Sequence, residues 1–566
     1  MVTVPGPRKF TTRDIVLLRK RFVQGGADHA APHERWRAVR AGSPGSARAF
    51  AEYHDLLLFL CAFPPDAEAH ALAATELDRI TTLLAVRSKP VGRMREQLMN
   101  SGIARTPLCA GFGMDLCRWL TDVVPAGITI EPFTGDDDRM RGVLLACALP
   151  AESEAMEDAG YTVYERMRDA CGGDPERMLG WLVRALDQAA ASPAVRNVLW
   201  ERLSPVLSMK EPAAFLTRTY CRGLVTDLHP YDPAARHAID PQRIIRTALP
   251  SPRRLRANEK VALVYAARGV LIAHLRETDT ATYCDPAAAE WQDLGDGLGI
   301  ALLPLPPGRR TTFDSYVGYV LFSNAVPVAY GGAWIFPGKS KVGINVFPAF
   351  RGGPSMLLFA RVLQCYSQRF GVDRFEAENY QLGHGNPDGI RSGAYWFYYR
   401  AGFRSVDVEL AALAEAERAH ITRDRAYRTP PTVLRQLAAD TMVLELREAA
   451  PPPFEPSALI AAVFHGLATM RNGDRAAALH HCVGRVGKAL GVTDRQAWPE
   501  AERRSFIDLA PAMALIPDLE RWPAKDKQAA VRLLRAKGAL NEDGYQAALR
   551  AHSRLLAAWA AVVHVG

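Results

Sequence analysis

Residues 342–355 read VGINVFPAFRGGPS, and within this short stretch a strand pattern gives way to the start of a helix. The first part is rich in β-branched and aromatic residues, which favours a strand, and SMLLFARVLQCYSQRF at 355–370 follows with helical spacing. A strand that leads through a glycine-rich turn into a helix brings free N–H groups and the positive end of the helix dipole together. The stretch is typical of an anion-binding site, and also of a plain strand-to-helix turn.

The next stretch, residues 373–404, repeats the order of strand and helix. DRFEAEN at 373–379 predicts a short strand, and GHGNPDGIRSGAYWFYYRAGFR at 383–404 predicts a helix that Asn386 precedes and Gly402 closes. Taken alone, the aromatic residues of this helix indicate buried core. Further strand-type runs, rich in Val, Ile, Tyr and Phe, occupy residues 260–275, 297–305, 315–336 and 340–347.

Together these stretches resemble the GNAT family, the acyl-CoA-dependent N-acyltransferases. In that family antiparallel strands lead to a strand that ends in an x-Pro-x-Tyr/Phe-Arg-Gly-x loop. A helix, a strand and a helix ending in Phe-Tyr-x-x-x-Gly-Phe follow. The matching residues are FPAFRGG at 347–353 and FYYRAGF at 397–403. The resemblance covers about residues 260–407 and implies an α/β (α+β) domain with a mixed, mostly antiparallel sheet and helices.

The resemblance also implies roles for individual residues. The Asn before the last helix commonly faces the pantetheine of coenzyme A, which is the position of Asn386. The Tyr four residues before the Gly commonly protonates the leaving thiolate, which is the position of Tyr398. A phenol with a pKa of about 10 suits a thiolate with a pKa of about 8.5. Backbone amides of the loop hold the pyrophosphate, and the positions here are Arg351, Gly352, Gly353 and Ser355.

Acyl transfer to an amine also needs a proton acceptor. Glu376 and Glu378 alternate on the strand before the last helix, so their side chains point to the same face. They are candidates for a general base that acts through water, and equally for ordinary solvated strand positions. Asn345 and Tyr330, on the preceding strands, are expected on the acyl or acceptor side.

The activity that the resemblance implies is direct transfer of an acyl group to an amine of a small molecule or protein. The co-substrate is acetyl-CoA or another acyl-CoA. The family loop reads Arg-x-x-Gly-x-Gly/Ala, whereas its two Gly positions are Pro354 and Met356 here. A non-catalytic GNAT-like binding module is therefore one alternative. An aminoacyl-tRNA-dependent transferase is another, which the mild positive charge of the chain permits.

The segments on either side have helical spacing of apolar residues. We expect a mainly helical domain at 1–250, the GNAT-like domain at 251–407 and a helical C-terminal domain at 408–566, so that both flanks are all-helical. The flanks resemble no family. They are compatible with a substrate-gating cap, a partner-binding module or a surface for homo-oligomers.

Composition limits the class of protein. At 566 residues the chain is too long for a single core, and 48% hydrophobic with 23% charged residues excludes a mainly disordered chain. Basic residues outnumber acidic ones by 69 to 61, but no basic run resembles a tail that binds nucleic acid, so nucleic acid is not an expected partner. The nine cysteines form no C-x-x-C pair, which is typical of free thiols in a reducing compartment. The sequence has no apolar core of a signal peptide, and no apolar run approaches the roughly 20 residues of a membrane helix. We therefore expect a cytoplasmic protein without membrane contact.

Three short motifs are not expected to bind ligands. GKS at 338–340 resembles the end of a P-loop but lies between two strand runs, where it predicts a hairpin turn. GHG at 383–385 predicts a loop. The His pair at 480–481 has no third ligand at useful spacing, so no metal is expected.

Overall fold

A computed structural model describes residues 9–24, 30–133, 137–156, 160–189, 192–224, 227–232, 239–447, 454–492 and 494–565. The chain forms two compact units. The first consists of Met1–Ala234, Ala262–Tyr283 and Phe322–Pro327, and the second of Ala235–Val261, Cys284–Leu321 and Val328–Gly566. The three-domain division drawn from the sequence stays a prediction.

Helices predominate. The helices up to residue 283 are α1 Thr12–Gln24, α2 Ala30–Arg40, α3 Ala47–Ala62, α4 Ala67–Ala85, α5 Lys89–Gln97, α6 Met114–Val123, α7 Asp137–Leu145, α8 Pro150–Met156, α9 Val163–Ala170, α10 Met178–Ala189, α11 Pro193–Leu203, α12 Pro241–Arg246, α13 Ala257–Ala273 and α14 Asp279–Tyr283. Those that follow are α15 Ser355–Phe370, α16 Asn379–Leu382, α17 Pro387–Ser392, α18 Ala394–Arg400, α19 Val408–Arg423, α20 Pro431–Leu437, α21 Pro456–Thr469, α22 Arg475–Leu490, α23 Glu500–Ala514, α24 Ala524–Ala536, α25 Asp543–Ala551 and α26 Ser553–Val565.

The strands of the described residues fall into three sheets. Two small sheets contain β1 Lys9–Phe10, β2 Ser43–Pro44, β3 Leu108–Gly111, β4 Thr129–Ile130 and β5 Val206–Met209. The third contains β6 Glu290–Gly295, β7 Leu298–Pro304, β8 Ser315–Ser323, β9 Val326–Phe336, β10 Lys339–Val342, β11 Asn345–Val346, β12 Arg374–Ala377, β13 Arg404–Ser405 and β14 Met442–Glu445. The α/β class with a mostly antiparallel sheet is confirmed.

The sequence predicted all-helical flanks, and this prediction is wrong because both flanks contain strands. The two small sheets lie before residue 250, and β14 lies beyond residue 407 and pairs antiparallel with β12. The run at 260–275 was expected as a strand but lies mostly in α13. Residues 266–273, in the second half of α13, are all buried, so this half has no solvent-facing side and its apolar run lacks the helical period by which it would be recognised.

The large sheet has the order β13-β14-β12-β10-β9-β8-β7-β6, and β11 extends beside β9. Its pair β10–β12 is parallel, and α15 connects these two strands. The GKS motif forms the tight turn between β9 and β10, with Gly338 at φ +78°, as predicted for a hairpin. On α15 the Tyr366 hydroxyl donates to the Val317 carbonyl at 2.7 Å, which anchors the helix to β8.

The first unit contains a buried polar cluster. His54, on α3, lies with Nε2 2.8 Å from Thr219 Oγ1, and Arg218 pairs with Asp55 at 2.6 Å. Burial lowers the pKa of His54 to about 4 and that of His274 to about 3. Burial alone would raise the pKa of Asp55, but the charge of Arg218 outweighs it and holds the pKa at about 2. Both imidazoles are therefore neutral in the folded unit at neutral pH.

Candidate functional site

The two parallel strands of the large sheet part at their carboxyl ends. β10 and β12 pair from Lys339↔Arg374 to Lys341↔Glu376. Beyond this point β12 ends, and the chain after β10 pairs again only on its other side, where Asn345 lies opposite Tyr330 of β9. The pairing between these two strands therefore stops at this level, and the backbone groups beyond it need other partners.

The ladder between β9 and the chain after β10 is interrupted at the same level. Gly343 and Ile344 fall outside both β10 and β11, although the register is unchanged on either side. The Tyr319 hydroxyl donates to the Gly343 carbonyl at 2.8 Å. A Cβ at Gly331 would lie 2.6 Å from that oxygen, and one at Gly332 would lie 2.6 Å from the Tyr316 hydroxyl. Glycine is required there because two tyrosine hydroxyls approach the backbone closely.

Tyr398 lies next to this interruption. Its buried ring packs edge-on against Phe359 and Phe403, with centroids 5.3 and 5.5 Å away, and its hydroxyl donates to Gln381 Oε1 at 3.3 Å. Gln381 reaches Gly343 in turn, because a Cβ there would lie 2.5 Å from Gln381 Nε2. Burial raises the pKa of Tyr398 well above that of a free phenol. The hydroxyl therefore keeps its proton at neutral pH.

The loop after β11 leads to an uncapped helix. A 3₁₀ turn at Pro348–Phe350 is followed by the exposed Arg351, whose Nε donates to the Val346 carbonyl at 3.0 Å. Gly352 has φ +88°, and a Cβ there would meet nothing within 4 Å. α15 begins at Ser355 with Pro354 as its N-cap and no capping hydrogen bond from a side chain. The first-turn N–H groups, at the positive end of the dipole, are therefore available to an anion.

The two candidate bases differ in their surroundings. Glu376 is largely buried and lies 3.2 Å from Arg374 Nε and 3.9 Å from Lys339 Nζ. Glu378 is half exposed and pairs with Lys341 at 2.9 Å. Only Glu378 of the two lines a cavity, so a ligand reaches it more easily.

That cavity has a volume of about 320 Å³. Trp334 contributes an exposed ring that stacks on Tyr316, with centroids 4.4 Å apart. Three carboxylates and two lysines give the lining a formal charge of minus one, which suits a cation held against an aromatic face. The lining residues are Asp314, Trp334, Ile335, Phe336, Lys339, Lys341, Glu378, Glu455, Pro456, Ser457 and Ile460.

Asn386 is engaged in local structure. Its Oδ1 accepts from the Gly389 N–H at 3.2 Å and caps α17, while its Nδ2 donates to the Tyr380 carbonyl at 3.1 Å. It lines a separate cleft rather than the cavity beside Glu378. The structure thus places Asn386 apart from that cavity.

Gln381 and the two tyrosines on β8, Tyr316 and Tyr319, were not predicted from the sequence. The glycine pair at 331–332 was a usable signal, since glycines inside a strand mark a close approach of other groups. Tyr330 and Asn345 were predicted on the acyl or acceptor side, and that role stays a prediction. They lie opposite each other on β9 and β11, and the Tyr330 ring stacks on Phe347.

Within the described ranges, no group of three or more His, Cys, Asp or Glu side chains is arranged to hold a metal ion. No helix in that part of the chain combines the length and apolar character needed to cross a bilayer. No protein-family model, curated protein or solved structure matches this chain.

Proposed function

We propose that the second unit is an acyl-CoA-dependent N-acyltransferase of the GNAT type. The observation that carries the proposal is the end of the β10–β12 pairing near Gly343, to which Gln381 connects the Tyr398 hydroxyl. The start of α15, which has no side-chain cap, supports it. A thioester needs three things from such a site. They are an anchor for its pyrophosphate, a donor for its carbonyl oxygen and an acid for its thiolate.

The α15 loop supplies the anchor in this proposal. The backbone amides of Arg351, Gly352 and Gly353, with Ser355 at the helix start, hold the pyrophosphate. The interruption at Gly343 and Ile344 supplies backbone N–H groups for the carbonyl oxygen. The pantetheine lies alongside the chain that follows β10, where the β10–β12 pairing has ended.

The transfer itself is direct. The amine nitrogen forms a bond to the acyl carbon, and the carbon–sulfur bond breaks. The acceptor enters as an ammonium ion and loses its first proton to water before it attacks, and the second proton passes through water to Glu378. The departing thiolate takes the proton of Tyr398, and water then returns a proton to the phenolate. Gln381 is a positioning residue, since it accepts the hydrogen bond of that hydroxyl.

The acceptor amine is placed in the cavity beside Glu378. Its negative formal charge and the exposed face of Trp334 favour a protonated amine as it enters. Lys341 pairs with Glu378 at 2.9 Å, which orients the carboxylate at the wall of this cavity.

Calorimetric titration with acetyl-CoA and with free coenzyme A tests the donor site. We expect micromolar binding that the double variant Arg351→Glu/Gly353→Glu abolishes, because two added carboxylates repel the pyrophosphate. Arg532→Glu, at an exposed position of α24, is the matched control and should bind normally. If the folded wild-type protein binds neither compound, the donor assignment is wrong.

One feature favours a second candidate, a binding module without catalysis. Pro354 stands at the N-cap of α15 and lacks the N–H that another residue would offer to an anion. Normal binding of acetyl-CoA with no turnover across a panel of primary amines would favour this candidate over the transferase.

A further inference from the structure

The second unit contains a basic cleft between the chain around α17 and the chain around α20. Its volume is about 1180 Å³. Every charged or titratable side chain in its lining is basic: His384, Arg391, Arg428 and Arg435. The other lining residues are Gly383, Gly385, Asn386, Pro387, Ile390, Ser392, Gly393, Trp396, Thr429, Pro430, Pro431, Leu434 and Ala439.

We propose that this basic cleft binds a phosphorylated nucleoside. The site goes beyond the proposed acyl transfer, because neither Tyr398 nor any residue of the loop at 351–355 lines the cleft. Trp396, which does line it, stands two residues before Tyr398 on α18 and so on another side of that helix.

The arginines are suited to phosphate. Arg435 is exposed and forms no ion pair with any described residue, so its whole charge is available. Arg428 donates through Nη1 to the carbonyls of Arg425 and Tyr427, at 2.8 and 2.7 Å, which fixes its guanidinium at the cleft. A guanidinium binds phosphate with two parallel hydrogen bonds.

The third arginine is held only weakly. Arg391 pairs with Asp388 on the same short helix, and both side chains are more than 70% exposed. Ion pairs of this kind contribute little to stability, so the guanidinium can turn to a phosphate at small cost.

The rest of the lining is largely apolar, which favours binding of a nucleobase. Trp396 is half-buried, and its Nε1 donates to Thr429 Oγ1 at 3.1 Å, while Tyr395 and Tyr399 pack edge-on against its ring. These contacts fix the indole in one orientation. Pro430 and Leu434 also line the cleft, so the lining offers apolar surface against which a nucleobase can pack. A bare phosphate would use only the basic side chains.

Fluorescence anisotropy with N-methylanthraniloyl-ATP tests the assignment on the full chain. Unlabelled ATP, inorganic pyrophosphate and a ten-nucleotide single-stranded RNA serve as competitors. The variants are Arg428→Glu/Arg435→Glu, the single variant Arg435→Glu, Arg351→Glu at the donor loop and the control Arg532→Glu on α24. Arg435→Glu breaks no hydrogen bond or ion pair within the described residues, so loss of folding is not expected.

We expect the cleft variants to weaken binding about tenfold or more, with Arg351→Glu and Arg532→Glu unchanged. ATP should compete better than pyrophosphate because of the base. Competition by ATP alone identifies a free nucleotide, and tighter competition by the RNA identifies a nucleotide within a strand. Three results overturn the proposal: no measurable binding, equal loss in Arg532→Glu, or loss in Arg351→Glu with the cleft variants unchanged. If pyrophosphate competes as well as ATP, the cleft binds phosphate groups and does not recognise the nucleoside.

Discussion

The Tyr398 hydroxyl donates to the amide oxygen of Gln381, 3.3 Å away, and the same amide reaches the backbone at Gly343. One side chain thus connects a buried phenol to the point where the strand ladder is interrupted. Only the hydroxyl of Tyr398 takes part in this connection, because the ring packs against phenylalanines. Hydroxyl and ring can therefore be separated by mutation.

Replacing Tyr398 by Phe should lower kcat by a factor of about 10² or more, in the range typical for loss of a general acid. Affinity for acetyl-CoA should stay the same because the ring remains. Tyr395→Phe is the matched control, as Tyr395 lies on the same helix and its hydroxyl bonds to Ser405 instead. Steady-state kinetics beside calorimetry checks this. Equal loss of kcat in both variants would show a structural effect rather than a proton transfer.

The two candidate bases should respond differently to substitution. Glu378→Gln should lower kcat for the amine acceptor, because Glu378 lines the cavity and is half exposed. Glu376→Gln should change kcat far less, since that side chain is largely buried beside Arg374 and Lys339. The measurement is the pH profile of kcat/KM for both variants. If Glu378→Gln keeps the profile of the wild type, the base lies elsewhere.

The glycine at 331 should be required for the folded sheet. A Cβ there would come within 2.6 Å of the Gly343 carbonyl, which is backbone and cannot move aside easily. Gly331→Ala should therefore destabilise the second unit by about 1–3 kcal/mol. Gly484→Ala, on α22 with no atom near the added methyl, should leave stability unchanged or raise it by up to about 1 kcal/mol. Urea unfolding of both variants compares them, and equal midpoints would contradict the steric argument.

Local patterns predicted part of this architecture. The helix at 355–370 and the hairpin turn at GKS follow from apolar spacing and turn residues, both of which are local. The run at 260–275 was predicted as a strand because residues 266–273 of this helix are all buried, and such a run lacks the period that separates helix from strand. The short strand β14 was missed because pairing with β12, far away in sequence, stabilises it.

Most site residues predicted from the sequence stand in a motif, and Glu376 and Glu378 were predicted from their spacing on a strand. Tyr398 and the loop at 351–355 belong to quoted motifs, whereas Gln381 stands in no motif and gains its place from the fold. The basic cleft was hidden for a similar reason. Its arginines are separated by many residues, so no basic run marks them, and only the fold brings them to one cavity.

The buried polar cluster of the first unit predicts a dependence of stability on pH. Burial lowers the pKa of His54 from 6.5 to about 4, so the unfolded chain binds a proton in this range that the folded unit does not. Stability should therefore be full above about pH 6.5 and fall as the pH is lowered towards 4. For His54 alone the loss is about 3 kcal/mol. His274 shifts in the same direction and adds to it.

Asp55 continues the loss at lower pH. Its pKa falls from 3.8 to about 2 on folding, so its contribution is present above pH 3.8 and disappears as the pH approaches 2. Urea unfolding between pH 7.5 and 2, with hydrogen exchange of α3 peptides to follow this unit, measures the dependence. His54→Gln should lower stability at pH 7 and flatten the slope, because the titrating group is gone. His465→Gln, exposed on α21, should leave the slope unchanged, and an equally steep slope in His54→Gln would show that other groups cause the acid sensitivity.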